Sequence, residues 1–202
     1  MIKFVIRYEN VGKSVGPVVM FGLFRDRRNE ALATEFLQTT AYQVDSGYRL
    51  FVTRVAQTLA NAHIVEETKK IISNNDTKYY YLIGVVCEQS RAALNLLPPG
   101  ASKKFVNELK RQLLNSGLPM GDNNASKFIE ELDGNFNSNP ASFRIILVLM
   151  IAKYQGLSYR TIQQKLGNNP MSNLAIESTI MDDGTGSLMK DFLVKKGLIA
   201  PR

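Results

Sequence analysis

The chain of 202 residues is long enough for one domain or two small lobes, and its hydrophobic content of 45% supplies a packed core, which argues against extended disorder. Lysine and arginine number 25 against 18 acidic residues, a formal charge of +7, so the molecule should be drawn to polyanions such as nucleic acid or an anionic membrane face. One cysteine, Cys87, excludes an internal disulfide, and one histidine, His63, excludes an ordinary zinc site.

At the N-terminus, Ile2, Phe4, Ile6 and Tyr8 fall on one side of a period-two pattern with Lys3 and Arg7 on the other, as in a half-buried strand. Its early charge sets this segment apart from a signal peptide. Turn residues from Asn10 to Gly16 and a second apolar run, Val18 to Phe24, make residues 1–27 a β-hairpin or extended arm that must pack on the body or on a neighbouring subunit. Helical spacing follows over Arg28 to Val44, Tyr48 to Ala60 and His63 to Ser73, stopping at Asn74-Asn75-Asp76. Lys78 to Leu97 fits strand or helix in its first half, where Tyr79-Tyr80-Tyr81 suits either core packing or stacking on bases. Pro98-Pro99-Gly100 is the strongest punctuation in the chain and the expected boundary between an N-terminal helical lobe, 28–97, and a C-terminal one, 101–186.

Ser102 to Leu114 is amphipathic, with Phe105, Val106, Leu109 and Leu113 inward; Gly117 closes it and Pro119 prevents resumption. A short helix over Asn124 to Leu132 and a polar loop from Gly134 to Asn139 lead into the most apolar run, Pro140 to Gly156. Pro140 suits a first helical turn and Gly156 a helix stop. Between them the residues are greasy nearly all round, as in a helix surrounded by others, yet the run is shorter than the roughly 20 residues that cross a bilayer. No other segment reads as a membrane span. Leu157 to Leu166, Met171 to Met181 and Ser187 to Lys196 complete the chain as three helices, residues 187–202 forming a C-terminal helix or arm. The expected fold is mainly α: two helical lobes with a short N-terminal β-hairpin or arm.

Catalytic patterns do not assemble. Gly12-Lys13-Ser14 resembles the end of a phosphate-binding loop, but Arg7 stands where its first glycine belongs and an apolar strand follows where a helix should. His63 has no identifiable nucleophile or acid partner. The pairs Glu66-Glu67, Glu130-Glu131 and Asp182-Asp183 are adjacent, and adjacent helical residues point about 100° apart, so they do not converge on one atom. Cys87, among Gly84, Val85 and Val86, reads as a small core residue. No enzyme activity, cofactor or metal is expected.

The positive charge is more informative. Arg25, Arg27 and Arg28 cluster where the arm meets the first helix; Lys69 and Lys70 end another. Lys103, Lys104, Lys110 and Arg111 repeat every seven residues on one helix face, a stripe of roughly 10 Å that could meet two phosphates of a single strand, with Glu108 weakening it. A solvated helix face accounts for the same residues. Arg144 and Arg160 are second-choice contacts.

Two segments resemble known families. Gly156 to Gly167, with Ser158 as cap, and Leu188 to Ile199 are similar to the second and recognition helices of a winged helix, although Glu177, Asp182 and Asp183 lie between them and the sequence ends at Arg202 without length for a wing. Gly117-Leu118-Pro119, a polar helix, Ser142-Phe143 opening the greasy helix to Tyr154, and Phe192-Leu193 with Gly197-Leu198 resemble the C-terminal lobe of bunyavirus-type nucleoproteins of segmented negative-strand RNA viruses. That resemblance implies a two-lobed helical protein that holds single-stranded RNA by its phosphates in a basic cleft and oligomerises through terminal arms; the lone cysteine and the charged N-terminus separately lead us to expect an intracellular (cytoplasmic) location or one inside a virion. The expected function is therefore sequence-nonspecific RNA binding as a nucleoprotein or capsid-type homo-oligomer. The alternatives are a winged-helix DNA-binding protein and a matrix-like structural protein without nucleic-acid contact.

Overall fold

The computed structural model describes residues 17–61, 63–138, 143–167, 178, 180 and 183–201, with side chains from Arg27 onward. Its elements are α1 (Pro17–Asn61), α2 (Val65–Ser73), α3 (Thr77–Leu96), α4 (Pro99–Leu114), α5 (Asp122–Ser138), α6 (Phe143–Tyr154), α7 (Tyr159–Gly167) and α8 (Leu188–Lys195). Among the described residues the protein is mainly helical, with no strand. Residues 1–16, which carry the expected first strand, lie outside the described residues. The run 18–24, expected as part of a β-hairpin or extended arm, lies in the opening turns of α1 behind Pro17, whose fixed φ suits a first helical turn. The expected helix over Met171 to Met181 also lies largely outside the described residues.

Helix α1 has 45 residues and is about 68 Å long at 1.5 Å per residue. Sequence reading ends one helix at Val44 and starts another at Tyr48, but the buried stripe of Phe36, Thr40, Val44, Gly47, Phe51, Val55 and Leu59 never loses its spacing of three and four. Gly47 stays helical because something packs against its bare Cα. A Cβ there would sit 2.6 Å from Thr185 Cγ2, 2.7 Å from the Tyr81 hydroxyl and 2.9 Å from the Asp183 carbonyl.

Helix α3 is the hub and touches α1, α4, α5, α6 and α8. Tyr80 to Cys87 is buried without a break, so the segment shows no solvent face for a periodic pattern to report. Tyr81 packs on Phe51 with ring centroids 4.7 Å apart; Tyr80 packs on Phe128 at 4.7 Å. Both rings serve the core. Burial pushes the Cys87 thiol up to about 12, which keeps it protonated and unreactive.

Helix α6 buries nine of its twelve residues, which leaves almost none of it to solvent. Helix α5 continues through the stretch expected as a polar loop because Phe136 anchors the extra turn, meeting Phe143 at 4.4 Å and lying under the Arg91 guanidinium at 3.9 Å. At Pro98-Pro99-Gly100 the chain turns a corner between α3 and α4, which pack on one another. Buried residues on both sides of this corner, from Ala33 to Leu193, join one hydrophobic cluster.

Two outcomes test this packing. Gly47→Ala gains about 1 kcal/mol of helix propensity but forces Tyr81, Asp183 and Thr185 away from the helix, so a net loss of about 1–2 kcal/mol is expected by urea denaturation. Cys87 should resist iodoacetamide in the folded protein and react once the chain is unfolded, as mass spectrometry would read directly.

Candidate functional site

The C-terminal end of α4 crosses the N-terminal half of α1. Gln112 stitches them, donating through Nε2 to the Glu30 carbonyl at 3.0 Å and accepting at Oε1 from the Thr34 hydroxyl at 3.0 Å. Above this crossing lies a cleft of about 650 Å³. One wall is Arg28, Asn29 and Leu32 of α1; another is Leu97, Pro98, Gly100, Ala101, Lys104 and Phe105; the third is Phe192, Leu193 and Leu198 at the end of the chain. Leu198 reaches it because Gly197, with φ of +65°, ends α8 in a left-handed turn in which the Leu198 N–H donates to the Leu193 carbonyl at 2.9 Å.

Among the described residues that line the cleft, none is acidic. Arg28 and Lys104 contribute to its lining, and Arg27 and Lys103, next to them in sequence, are exposed. These four pair with no carboxylate among the described residues. The first turn of α4 carries no acid, so its N-terminal partial positive charge adds to theirs.

The other sequence-predicted cations divide by their partners. Lys110 pairs with Asp133 of α5. Arg111 is held by Glu108 at 2.6 Å and approaches Glu30 at 3.7 Å; the bond to Arg111 keeps the Glu108 carboxyl below its usual range. The seven-residue stripe on α4 is thus half neutralised. Lys69 pairs with Glu66 at 3.1 Å beside a shallow apolar groove that includes Ala56 and Ala60, and Lys70 is exposed next to it. Ala56 lies about 42 Å along α1 from Arg28, so these lysines do not share the cleft. Arg160 is exposed on α7, whose main partner is α6. Arg25 lies in α1 outside the described side chains.

Arg144 is not a surface contact at all: it is fully buried. Its Nη2 donates to Glu88 Oε2 at 2.7 Å and to the Thr185 hydroxyl at 2.9 Å, and lies 3.2 Å from Asp183 Oδ2. The Tyr81 hydroxyl donates to Asp183 Oδ2 at 2.9 Å, and the Thr185 N–H donates to Asp183 Oδ1 at 3.0 Å. Burial and the Asp183 charge push the Tyr81 phenol far above its ordinary value, so it remains a donor. Gln89 completes the set, donating to the Thr185 carbonyl at 2.9 Å and accepting from the Met189 N–H at 2.8 Å. The signal in the sequence is Arg144 itself, a guanidinium inside a greasy run, which must find buried acceptors. The identity of those acceptors is set by the tertiary fold.

Among the described residues, no group of three or more His, Cys, Asp or Glu side chains is placed to hold a metal, and no helix is long and apolar enough to cross a membrane. Compared with known proteins, the chain matches no family model, no curated sequence and no solved structure.

Arg144→Ala strands buried acids and should cost about 3–5 kcal/mol. Lys103→Ala and Lys104→Ala, on solvated ground, should each stay within about 0.5 kcal/mol in the same chemical denaturation.

Proposed function

We propose that the protein binds single-stranded RNA without regard to sequence, through the cleft between α1, α4 and the end of the chain. The observation that carries this reading is the sorting of cations. Lys110, Arg111 and Arg144 are matched by carboxylates, whereas Arg28 and Lys104, from two separate helices, line one opening, with the exposed Arg27 and Lys103 next to them in sequence, and none of the four has such a partner among the described residues. Phosphates bind such a rim because each one neutralised releases condensed counterions. The apolar walls beneath it offer a dry surface to unpaired bases, which duplex DNA keeps stacked inside its helix. As a nucleoprotein the chain would also assemble on RNA, which light scattering of the protein with and without RNA tests.

The winged-helix reading has less support. Helix α8 turns Leu188, Met189, Phe192 and Leu193 into the core, which leaves Lys190, Asp191 and Lys195 as its exposed face, and that face is mixed in sign.

Fluorescence anisotropy with a labelled oligo(U) should show affinity falling steeply with salt, with little preference among base sequences. Replacing Arg27, Arg28, Lys103 and Lys104 by alanine should weaken binding and reduce the slope of log K against log salt by about 0.7 for each phosphate that is no longer neutralised. Replacing Lys69 and Lys70 should leave both unchanged. Binding to anionic vesicles with none to oligo(U) would transfer the reading to a matrix-like protein.

A further inference from the structure

The geometry points to the buried cluster around Arg144 and Asp183 as a latch that seats α8 as the third wall of the cleft, which makes Asp183 and Thr185 positioning residues for a site they do not touch. This rests on the cleft reading above.

Helix α8 has eight residues, too few to be stable by itself, so its place is set by what it docks on. Its apolar packing alone does not fix its register: Leu188, Met189, Phe192 and Leu193 could slide along a greasy surface at modest cost. Directional bonds are concentrated on the turn just before it. Arg144 from α6, with Tyr81 and Gln89 from α3, grips Asp183, Thr185 and the Met189 backbone. Gly47 of α1 opens the space that the turn occupies, so three helices meet at one point on the chain. From this point α8 runs to Phe192, which meets Phe36 edge-on at 5.3 Å, and to Lys196, which pairs with Glu35. Phe192, Leu193 and Leu198 then face Arg28 and Lys104 across the cleft. Releasing the turn removes the wall but leaves the cations in place.

The test uses the full chain with Thr185→Val, which keeps shape and loses the hydroxyl bonds, and with Asp183→Asn, which removes the buried charge. Hydrogen exchange read by mass spectrometry should show α8 losing protection by about tenfold in Thr185→Val, and by more in Asp183→Asn, while α3 and α6 keep theirs. Anisotropy with oligo(U) should show weaker binding in Asp183→Asn in proportion to the undocked fraction, with the salt slope unchanged because the four cations remain. Equal loss of protection in α3, α6 and α8 overturns the latch, since the cluster would then support the whole core. Undocking of α8 with affinity unchanged overturns it too. Should Asp183→Asn fail to fold, Thr185→Val carries both measurements. If the unaltered protein does not bind oligo(U), the RNA reading falls, and exchange alone decides the latch by the same criterion.

Discussion

A guanidinium at zero exposure in the first turn of the most apolar helix is a costly placement, and the surrounding fold satisfies it. Arg144 has two carboxylates, Glu88 and Asp183, and a hydroxyl, Thr185, within reach. Asp183 is itself bonded by Tyr81 and by the Thr185 backbone. Such a cluster adds little net stability relative to apolar residues of the same volume, because desolvation consumes most of the Coulomb gain. Its effect is on specificity. Leucines tolerate many neighbours, but a buried arginine tolerates only the arrangement that meets it, and here that arrangement draws together α3, α6 and the turn before α8.

The same rule, that uncompensated charge is expensive inside and cheap outside, explains the surface. Along α4 the cations next to the α5 packing face and the α1 crossing have acids beside them: Asp133 for Lys110, Glu108 and Glu30 for Arg111. Those at the start of the helix, beside the corner at Pro98 and Pro99, have none among the described residues. Packing thus divides one stripe into a structural half and an available half, and Lys104 of the available half lines the cleft together with Arg28 of α1.

How much of this can be read from the chain depends on how local the cause is. Helix α6 is legible from Phe143 to Tyr154 because its length and composition leave no other fate, and α4 because its amphipathic spacing is regular. Helix α3 is ambiguous for a physical reason: a segment buried on every side has no periodic signal, although it is the element that the others pack around. Asp45-Ser46-Gly47 has the composition of a turn and is overruled by the stripe running through it and by the close approach of Thr185. In the site, Glu108 is visible in sequence as a local partner of Arg111. Asp133, Glu88 and Asp183 are not, since their cations are distant in sequence and only the tertiary fold brings them near.

Total charge therefore says less about ligand binding than the number of cations left unmatched within one screening length of each other. At physiological ionic strength that length is about 8 Å, so charges beside Arg28 and charges beside Ala56, about 42 Å apart along α1, act on a ligand independently. Lys69 and Lys70 add to the formal charge of +7 without adding to the field at the cleft. Arg28 and Lys104, both exposed, line one cleft with apolar walls, and field lines concentrate where low-dielectric walls flank charges of one sign. Binding energy at such a place depends on the walls as well as on the cations. Because one wall is the end of the chain, held through a buried arginine that no ligand reaches, the core packing and the surface field are parts of one arrangement.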